Sequence, residues 1–257
     1  MEFIDTHAHL FLPEFDEDRS LVVERAIDKR ISRILLPNID KDSIEPMLAL
    51  CKAYPDYCYP MIGLHPTSVK DDFSDHLFEI EKYLTSHIFV AIGEVGIDLY
   101  WDKTYLPQQQ EAFIYQIELA RKHSLPLIIH SRDSFVEILE ILHKHREGKP
   151  YSGIFHSFSG SKEQAKEIID LGFKIGINGV VTFKNTTLGE VIREISLEDI
   201  VLETDAPYLT PVPYRGKRNE SAYIPYIAGK VAEMKGITIE EVAQVTTLVA
   251  KKMFKLT

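Results

Sequence analysis

The sequence predicts a single-domain (β/α)8 barrel of the TIM type, and three observations carry that expectation. Short apolar runs alternate with amphipathic stretches eight times along the chain, which implies parallel strands joined by right-handed helical crossovers. The length of 257 residues suits a fold that typically needs about 250. No Gly-x-Gly-x-x-Gly turn follows the first strand, so the usual reason to prefer an open doubly wound sheet is missing. With no Pro-, Gly- or Ser-rich linker and no low-complexity tract, residues 1–257 read as one domain.

The first strand is predicted over Phe3–His9, apolar at its start and closing on two histidines two residues apart. In an extended chain both imidazoles share one face. An amphipathic stretch over 18–30 leads to a second apolar run, Arg33–Pro37, and a helix over 42–53. Cys58–Leu64 is the third strand, followed by a helix over 74–86. Phe89–Val95 is the fourth, and the helix after it, 107–123, carries Phe113, Ile117 and Ala120 at helical spacing with Gln116 beside them, a core-facing stripe. Pro126–His130, Gly153–His156, Lys174–Asn178 and Ile200–Thr204 complete the strands. Helices over 133–146, 161–171 and 187–195 separate them, and a last helical region runs from about 222 to the C-terminus. The connections 97–110 and 206–221 are longer than a minimal barrel needs, and such extensions on the active face are where barrel enzymes build specificity.

Hydrophobic residues make up 45% and charged residues 26% of the chain, ordinary for a globular protein. A formal charge of −10 argues against holding nucleic acid through a broad basic surface. Any phosphate substrate therefore needs local positive charge, from metal ions or a basic cluster. Cys51 and Cys58 form no Cys-x-x-Cys pattern, so neither a thiolate zinc site nor a disulfide framework is suggested. No apolar run reaches the roughly 18 residues of a membrane span. A monomeric cytoplasmic protein is expected.

Metal-ligand residue types recur where the predicted strands end: His7 and His9, His65, Glu94, His130, His156 and Asp205. Singly, each has a plain structural explanation, such as a hydrogen-bonded core histidine or a turn cap. Together they place ionisable groups at one mouth of the barrel, where they would repel or stay desolvated without bound cations. Imidazole and carboxylate ligands without thiolate suit Zn²⁺, Mn²⁺ or Mg²⁺. The set exceeds one tetrahedral ion, and a central carboxylate such as Glu94 can bridge two ions about 3.5–4 Å apart.

Asp5-Thr6-His7-Ala8-His9, Gly63-Leu64-His65-Pro66, Gly93-Glu94-Val95-Gly96-Ile97-Asp98, Ile129-His130-Ser131-Arg132, His156-Ser157-Phe158-Ser159-Gly160 and Glu203-Thr204-Asp205-Ala206-Pro207 together resemble the TatD family of metal-dependent deoxyribonucleases, in order from residue 3 to about 254. The resemblance implies that His7, His9, Glu94 and Asp205 hold one divalent ion and that Glu94, His130 and His156 hold a second, a third being left open. It implies Asp205 as the acceptor of the attacking water's proton, His65 near the scissile phosphate, and hydrolysis of DNA, often from a 3′ end, in repair or degradation. Ser157 stands where the family often has Cys, Val249 where Asn is frequent and Ser221 where Pro is usual; none of these is a ligand.

Candidate substrate contacts are Arg132 beyond His130, Lys184, and the cluster Arg215, Lys217 and Arg218 as a phosphate grip. Tyr100 and Trp101 are candidates to stack on an unpaired base, and Tyr208 has a similar claim. A small basic patch suits a single strand or a frayed end better than a long duplex. Rival readings are an amidohydrolase or phosphotriesterase-like hydrolase of a small ester, amide or lactone, and a catalytically silent interaction protein on the same barrel. Many of the former bridge their metals with a carbamylated Lys, whereas no Lys ends the fourth or fifth strand here.

Overall fold

A computed structural model describes residues 1–146, 148 and 150–256. Among these residues eight strands appear in the expected order: β1 Phe3–Asp5, β2 Ile31–Pro37, β3 Cys58–Met61, β4 Ile92–Asp98, β5 Leu127–Arg132, β6 Gly153–Phe155, β7 Phe173–Ile177 and β8 Ile200–Leu202. They pair in parallel as two runs, β1-β2-β3 and β4-β5-β6-β7-β8. Backbone hydrogen bonds close both seams. Gly93 N–H donates to the Ile62 carbonyl (2.8 Å) between β3 and β4, while Thr6 N–H to Leu202 and Asp205 N–H to His7 join β8 to β1 (3.0 and 2.9 Å). The result is the closed (β/α)8 barrel.

The helices α1 Arg19–Asp28, α2 Lys41–Ala53, α3 Phe73–Ser86, α4 Leu106–His123, α5 Phe135–Lys144, α6 Lys162–Leu171 and α7 Leu188–Glu194 follow the first seven strands, and α8 Ile224–Lys235 and α9 Ile239–Phe254 follow the eighth. The last predicted helical region is thus two helices. Gly236, at φ 66°, ends α8 in the left-handed conformation that glycine adopts without penalty, and Thr238 with Glu241 forms a capping box that starts α9. Thr257, included in the predicted region, lies outside the described residues. Ile4, Leu35, Met61, Ile128, Ile154 and Val201 from six strands pack together with Ala250, Phe254 and Leu256, so the end of α9 packs into the strand core.

Two departures from the predicted boundaries shape the site. β1 stops at Asp5, so His7 and His9 lie past the strand, where successive N–H groups donate to β2 and to the segment after β8: Ala8 N–H to the Leu35 carbonyl, His9 N–H to the Ala206 carbonyl. β4 starts later and runs farther than expected, to Asp98, which brings a second carboxylate onto the face of Glu94. The α4 stripe is buried as predicted, and its glutamines also reach the strand ends. Gln116 accepts from Leu64 N–H (2.7 Å) beside His65, and Gln109 bonds both backbone groups of Asp98 (2.9 and 3.2 Å).

Candidate metal centre

Glu94 stands in the middle of the mouth, almost fully buried, and its two oxygens face different histidines. Oε2 lies 3.1 Å from His7 Nε2 and 3.7 Å from His9 Nε2. Oε1 lies 2.8 Å from His130 Nδ1, 3.4 Å from His65 Nε2 and 3.7 Å from His156 Nε2. Asp205 Oδ1 is within 3.6–3.9 Å of His7, His9 and His156. Asp205 is held at φ 59°, an uncommon conformation for a residue with a side chain and one that persists only where its surroundings enforce it.

The second nitrogen of each ring decides what the first one offers. His9 Nδ1 faces the Pro37 carbonyl (3.1 Å), and His156 Nδ1 lies 3.0 Å from Glu203 Oε1. The Pro37 carbonyl assigns the His9 proton to Nδ1 and leaves its Nε2 as a lone pair aimed at the centre, whereas the His156–Glu203 contact is an ion pair without hydrogen-bond geometry. His130 is turned the other way, with Nε2 2.9 Å from Asp98 Oδ2, so that Nδ1 faces Glu94. His65 differs from all three. Its Nδ1 accepts the Thr67 backbone N–H (3.2 Å), which assigns the proton to Nε2 and presents a donor to the cleft. His7 Nδ1 is buried without a hydrogen-bond partner, and its Nε2 approaches His9 Nε2 at 3.2 Å.

Burial alone would push the carboxyl of Glu94 up, but His65, His7, His156 and His130 outweigh it and hold it well below the usual carboxylate range. Asp205 is likewise lowered: burial opposes ionisation, and His156 with His9 and His7 overcomes it. Burial pulls His156 down, yet Glu203, Glu94 and Asp205 raise it to about 10. Burial also opposes His130, which Asp98 and Glu94 raise, whereas His7 and His65 are lowered mainly by burial. Without ions, protons on His130 and His156 balance the buried carboxylates. The donor set of nitrogen and oxygen atoms, with several imidazole lone pairs converging on two carboxylates, fits divalent cations of intermediate hardness. Among the described residues three groupings meet closely enough to hold one: His7 with His9 and Asp205, His7 with Glu94 and His156, and His65 with Glu94 and His130.

The model of the family described as TatD related DNase matches residues 4–255. This chain belongs to the TatD family. It is 40% identical to the uncharacterized metal-dependent hydrolase YabD of Bacillus subtilis (strain 168) over 98% of both chains. It is 30% identical to the 3′-5′ ssDNA/RNA exonuclease TatD of Pectobacterium parmentieri (strain WPP163), over 98% of this chain and 99% of that one. Its fold matches the crystal structure of YjjV, a TatD homologue from Escherichia coli K12, with a TM-score of 0.93, 29% identity and coverage of 99% and 98%. The chain is accordingly a metal-dependent hydrolase with His, Glu and Asp groups able to bind metal.

In this TatD-family barrel a cleft of about 730 Å³ opens above Glu94 and is lined by His9, His65, His130, His156 and Asp205 together with Arg132, Trp101 and Tyr208. Arg132 stacks its guanidinium over Tyr100 (3.9 Å to the ring centre), and Tyr100 meets Trp101 edge to face. Lys184, Arg215, Lys217 and Arg218 do not line the cleft. Lys184 is exposed. Arg215 lies over Phe183 and Lys217 near Tyr214, while Arg218 pairs with Asp18 (2.8 Å) and donates to the Glu14 carbonyl. Asp98 and Glu203, which orient His130 and His156, are absent from the sequence-predicted site. Both sit at even spacing from a predicted ligand, Glu94 and Asp205 respectively, and that alternation was the available signal. Asp5 is a third such carboxylate, accepting from His7 N–H, Thr204 N–H and Thr204 Oγ1–H (3.3, 2.9 and 2.6 Å) and so tying the β1 ligands to the β8 ligand. Burial raises its pKa to about 6.

Proposed function

We propose that this chain hydrolyses DNA phosphodiester bonds as a 3′–5′ exodeoxyribonuclease acting on single-stranded or frayed ends. The observation that carries this reading is the wall of the cleft. A cation, Arg132, and the exposed rings of Trp101 and Tyr208 stand beside the two-faced Glu94 carboxylate. That combination answers the two features of an unpaired strand, a phosphate and a free base face. The cleft volume falls in the range of about 300–1,000 Å³ that encloses a small ligand, which suits a terminal nucleotide better than the middle of a duplex.

The ligand sets for two ions would be His7, His9, Glu94 and Asp205, and Glu94, His130 and His156. Divalent ions held there supply positive charge that polarises the phosphodiester and makes water easier to deprotonate. Asp205, kept ionised and facing the cleft, accepts the proton of the attacking water. His65 presents Nε2–H to a phosphate oxygen. Arg132, with its guanidinium plane fixed on Tyr100, offers paired N–H donors to the same phosphate. Trp101 stacks on the terminal base. Arg215 and Lys217, both exposed, meet phosphates farther along the strand, beside Arg218 and Lys184.

The test is digestion of single-stranded, blunt duplex and closed circular DNA, and of ester and amide substrates, with Mg²⁺, Mn²⁺ and Zn²⁺, alongside Asp205→Asn. We expect release of 3′-terminal nucleotides from single strands and resistance of circles. Asp205→Asn should lower turnover by about 10²–10⁴-fold. Rapid cutting of circles, or DNA hydrolysis unchanged by Asp205→Asn, refutes the reading, and activity confined to amides favours the rival barrel hydrolases.

A further inference from the structure

Asp98 touches both the metal centre and the aromatic loop. Its Oδ2 lies 2.9 Å from His130 Nε2, and its Oδ1 accepts the backbone N–H groups of Tyr100 (3.0 Å) and Trp101 (3.3 Å). The side chain is buried, and Gln109 on α4 clamps the backbone of the same residue from both sides. An aspartate anchored in this way cannot follow the loop, so the loop is tied to it.

We infer that Asp98 is a positioning residue that sets His130 for metal binding with one oxygen and holds the Tyr100–Trp101 turn with the other. What the turn does, stacking on a base, rests on the nuclease reading above; the link from Asp98 to His130 and to the turn does not. The chemistry of each half is specific. A carboxylate at His130 Nε2 assigns the proton to that nitrogen, fixes the ring plane and leaves Nδ1, facing Glu94, as the ligand atom. On the other side, an Asp oxygen that accepts amide N–H groups two and three residues on is what closes an Asx-type turn. Arg132 stacks on Tyr100, so the same carboxylate aligns the ion pocket, the base platform and the cation for the phosphate.

Asp98→Asn and Asp98→Ala separate the two halves, and Trp101, the single tryptophan of the chain, reports on the turn. Asn keeps one acceptor oxygen for the loop N–H groups but turns an amide donor toward the His130 N–H. Ala removes both functions. By calorimetry both variants should bind Mn²⁺ about 10–100-fold more weakly than the wild type. In EDTA and without DNA, only the Ala variant should show a more mobile Trp101, read as lower fluorescence anisotropy and easier quenching by acrylamide. Titration with (dT)8 in EDTA should quench Trp101 in the wild type and in the Asn variant, and bind the Ala variant about fivefold or more weakly. Mn²⁺ affinity in the Asn variant equal to wild type overturns the His130 half. Trp101 signals in the Ala variant equal to wild type overturn the turn half, and a wild-type Trp101 indifferent to (dT)8 overturns the base-stacking role. Should Ala fail to fold, the near-isosteric Asn variant decides the His130 half, and Trp101 in Asp98→Leu, which fills the same space without an acceptor, decides the other. A wild type that cuts no DNA yet gives the expected metal and Trp101 results would sink the nuclease reading and leave the link standing.

Discussion

Replacing Gly176 with alanine places a methyl group where a catalytic support already sits. A Cβ there would lie 2.5 Å from Glu203 Oε2, 2.8 Å from its Cδ and 3.0 Å from Oε1, so the carboxylate must move. An exposed glutamate would swing aside at little cost. Glu203 is fully buried, its Oε1 accepts Ser157 N–H at 2.6 Å, and the same oxygen faces His156 Nδ1. Displacing it therefore costs overpacking strain of about 1–3 kcal/mol, which for a chain of this size lowers Tm by about 2–4 °C per kcal/mol. It also frees the His156 ring, and loss of such a support weakens metal affinity by about 10–100-fold. Glu203→Asp, one methylene shorter, vacates the space. The double variant should recover stability, with a coupling of at least about 0.5 kcal/mol, but not metal affinity, because the shortened carboxylate no longer reaches His156. Scanning calorimetry in EDTA and Mn²⁺ titration read the two effects apart. A Gly176→Ala protein that melts and binds Mn²⁺ like the wild type refutes the argument that Glu203 is pinned and that His156 depends on it.

Trp101→Ala should weaken binding of short single strands by the worth of one stacked base, about 1–3 kcal/mol, while leaving Mn²⁺ affinity intact; equal affinity for (dT)8 in a gel-free binding assay would remove Trp101 from the substrate path. Arg132→Ala should weaken DNA binding uniformly across sequences and reduce the salt dependence by about one phosphate contact, and an unchanged slope of log K against log salt contradicts it. In EDTA the protein should lose stability as pH rises from about 6.5 toward 10. The folded pKa of His156 is raised to about 10, so its stabilisation is full below the unfolded value near 6.5 and fades through the folded one, at about 1.4 kcal/mol per tenfold ratio. His130 is raised as well and adds in the same direction, whereas His7 and His65 are lowered and act below that window. Metal affinity should rise over the same pH range, because the ligands must be neutral; a flat Tm from pH 7 to 10 in EDTA is incompatible with a protonated His156.

The barrel and the metal-ligand residue types were legible because both leave local marks. A buried parallel strand is an apolar run, and a polar residue that ends one faces the mouth. What was not legible depends on which residues of distant strands come side by side. β4 and β5 pair with Gly96 opposite His130 and Asp98 opposite Arg132. The even spacing from Glu94 puts Asp98 on the same face, but only that register brings its carboxylate to the His130 ring. Gly96 permits the pairing, since at φ 139° any Cβ would collide with the His130 carbonyl oxygen. Arg218 shows the same boundary from the other side. Its basic cluster was visible, yet its partner Asp18 is 200 residues away and lies before α1. The strand containing His7 and His9 was overextended for a related reason, because the barrel's closing seam makes the chain leave the regular ladder after Asp5.

The arrangement of partners around the histidines also explains how so many buried ionisable groups coexist in one fold. Glu94 and Asp205 are unfavourable in a low-dielectric interior unless positive charge stands beside them. Protonated His156 and His130 provide it in the absence of ions, and Glu203 and Asp98 stabilise those protons from behind. Under the proposed reading, with ions bound, the same two carboxylates would face the far nitrogen of each ring and leave the near nitrogen free to bind. His65 stands outside this exchange. Thr67 N–H, donating to Nδ1, places the His65 proton on the cleft side, where it can donate to a substrate.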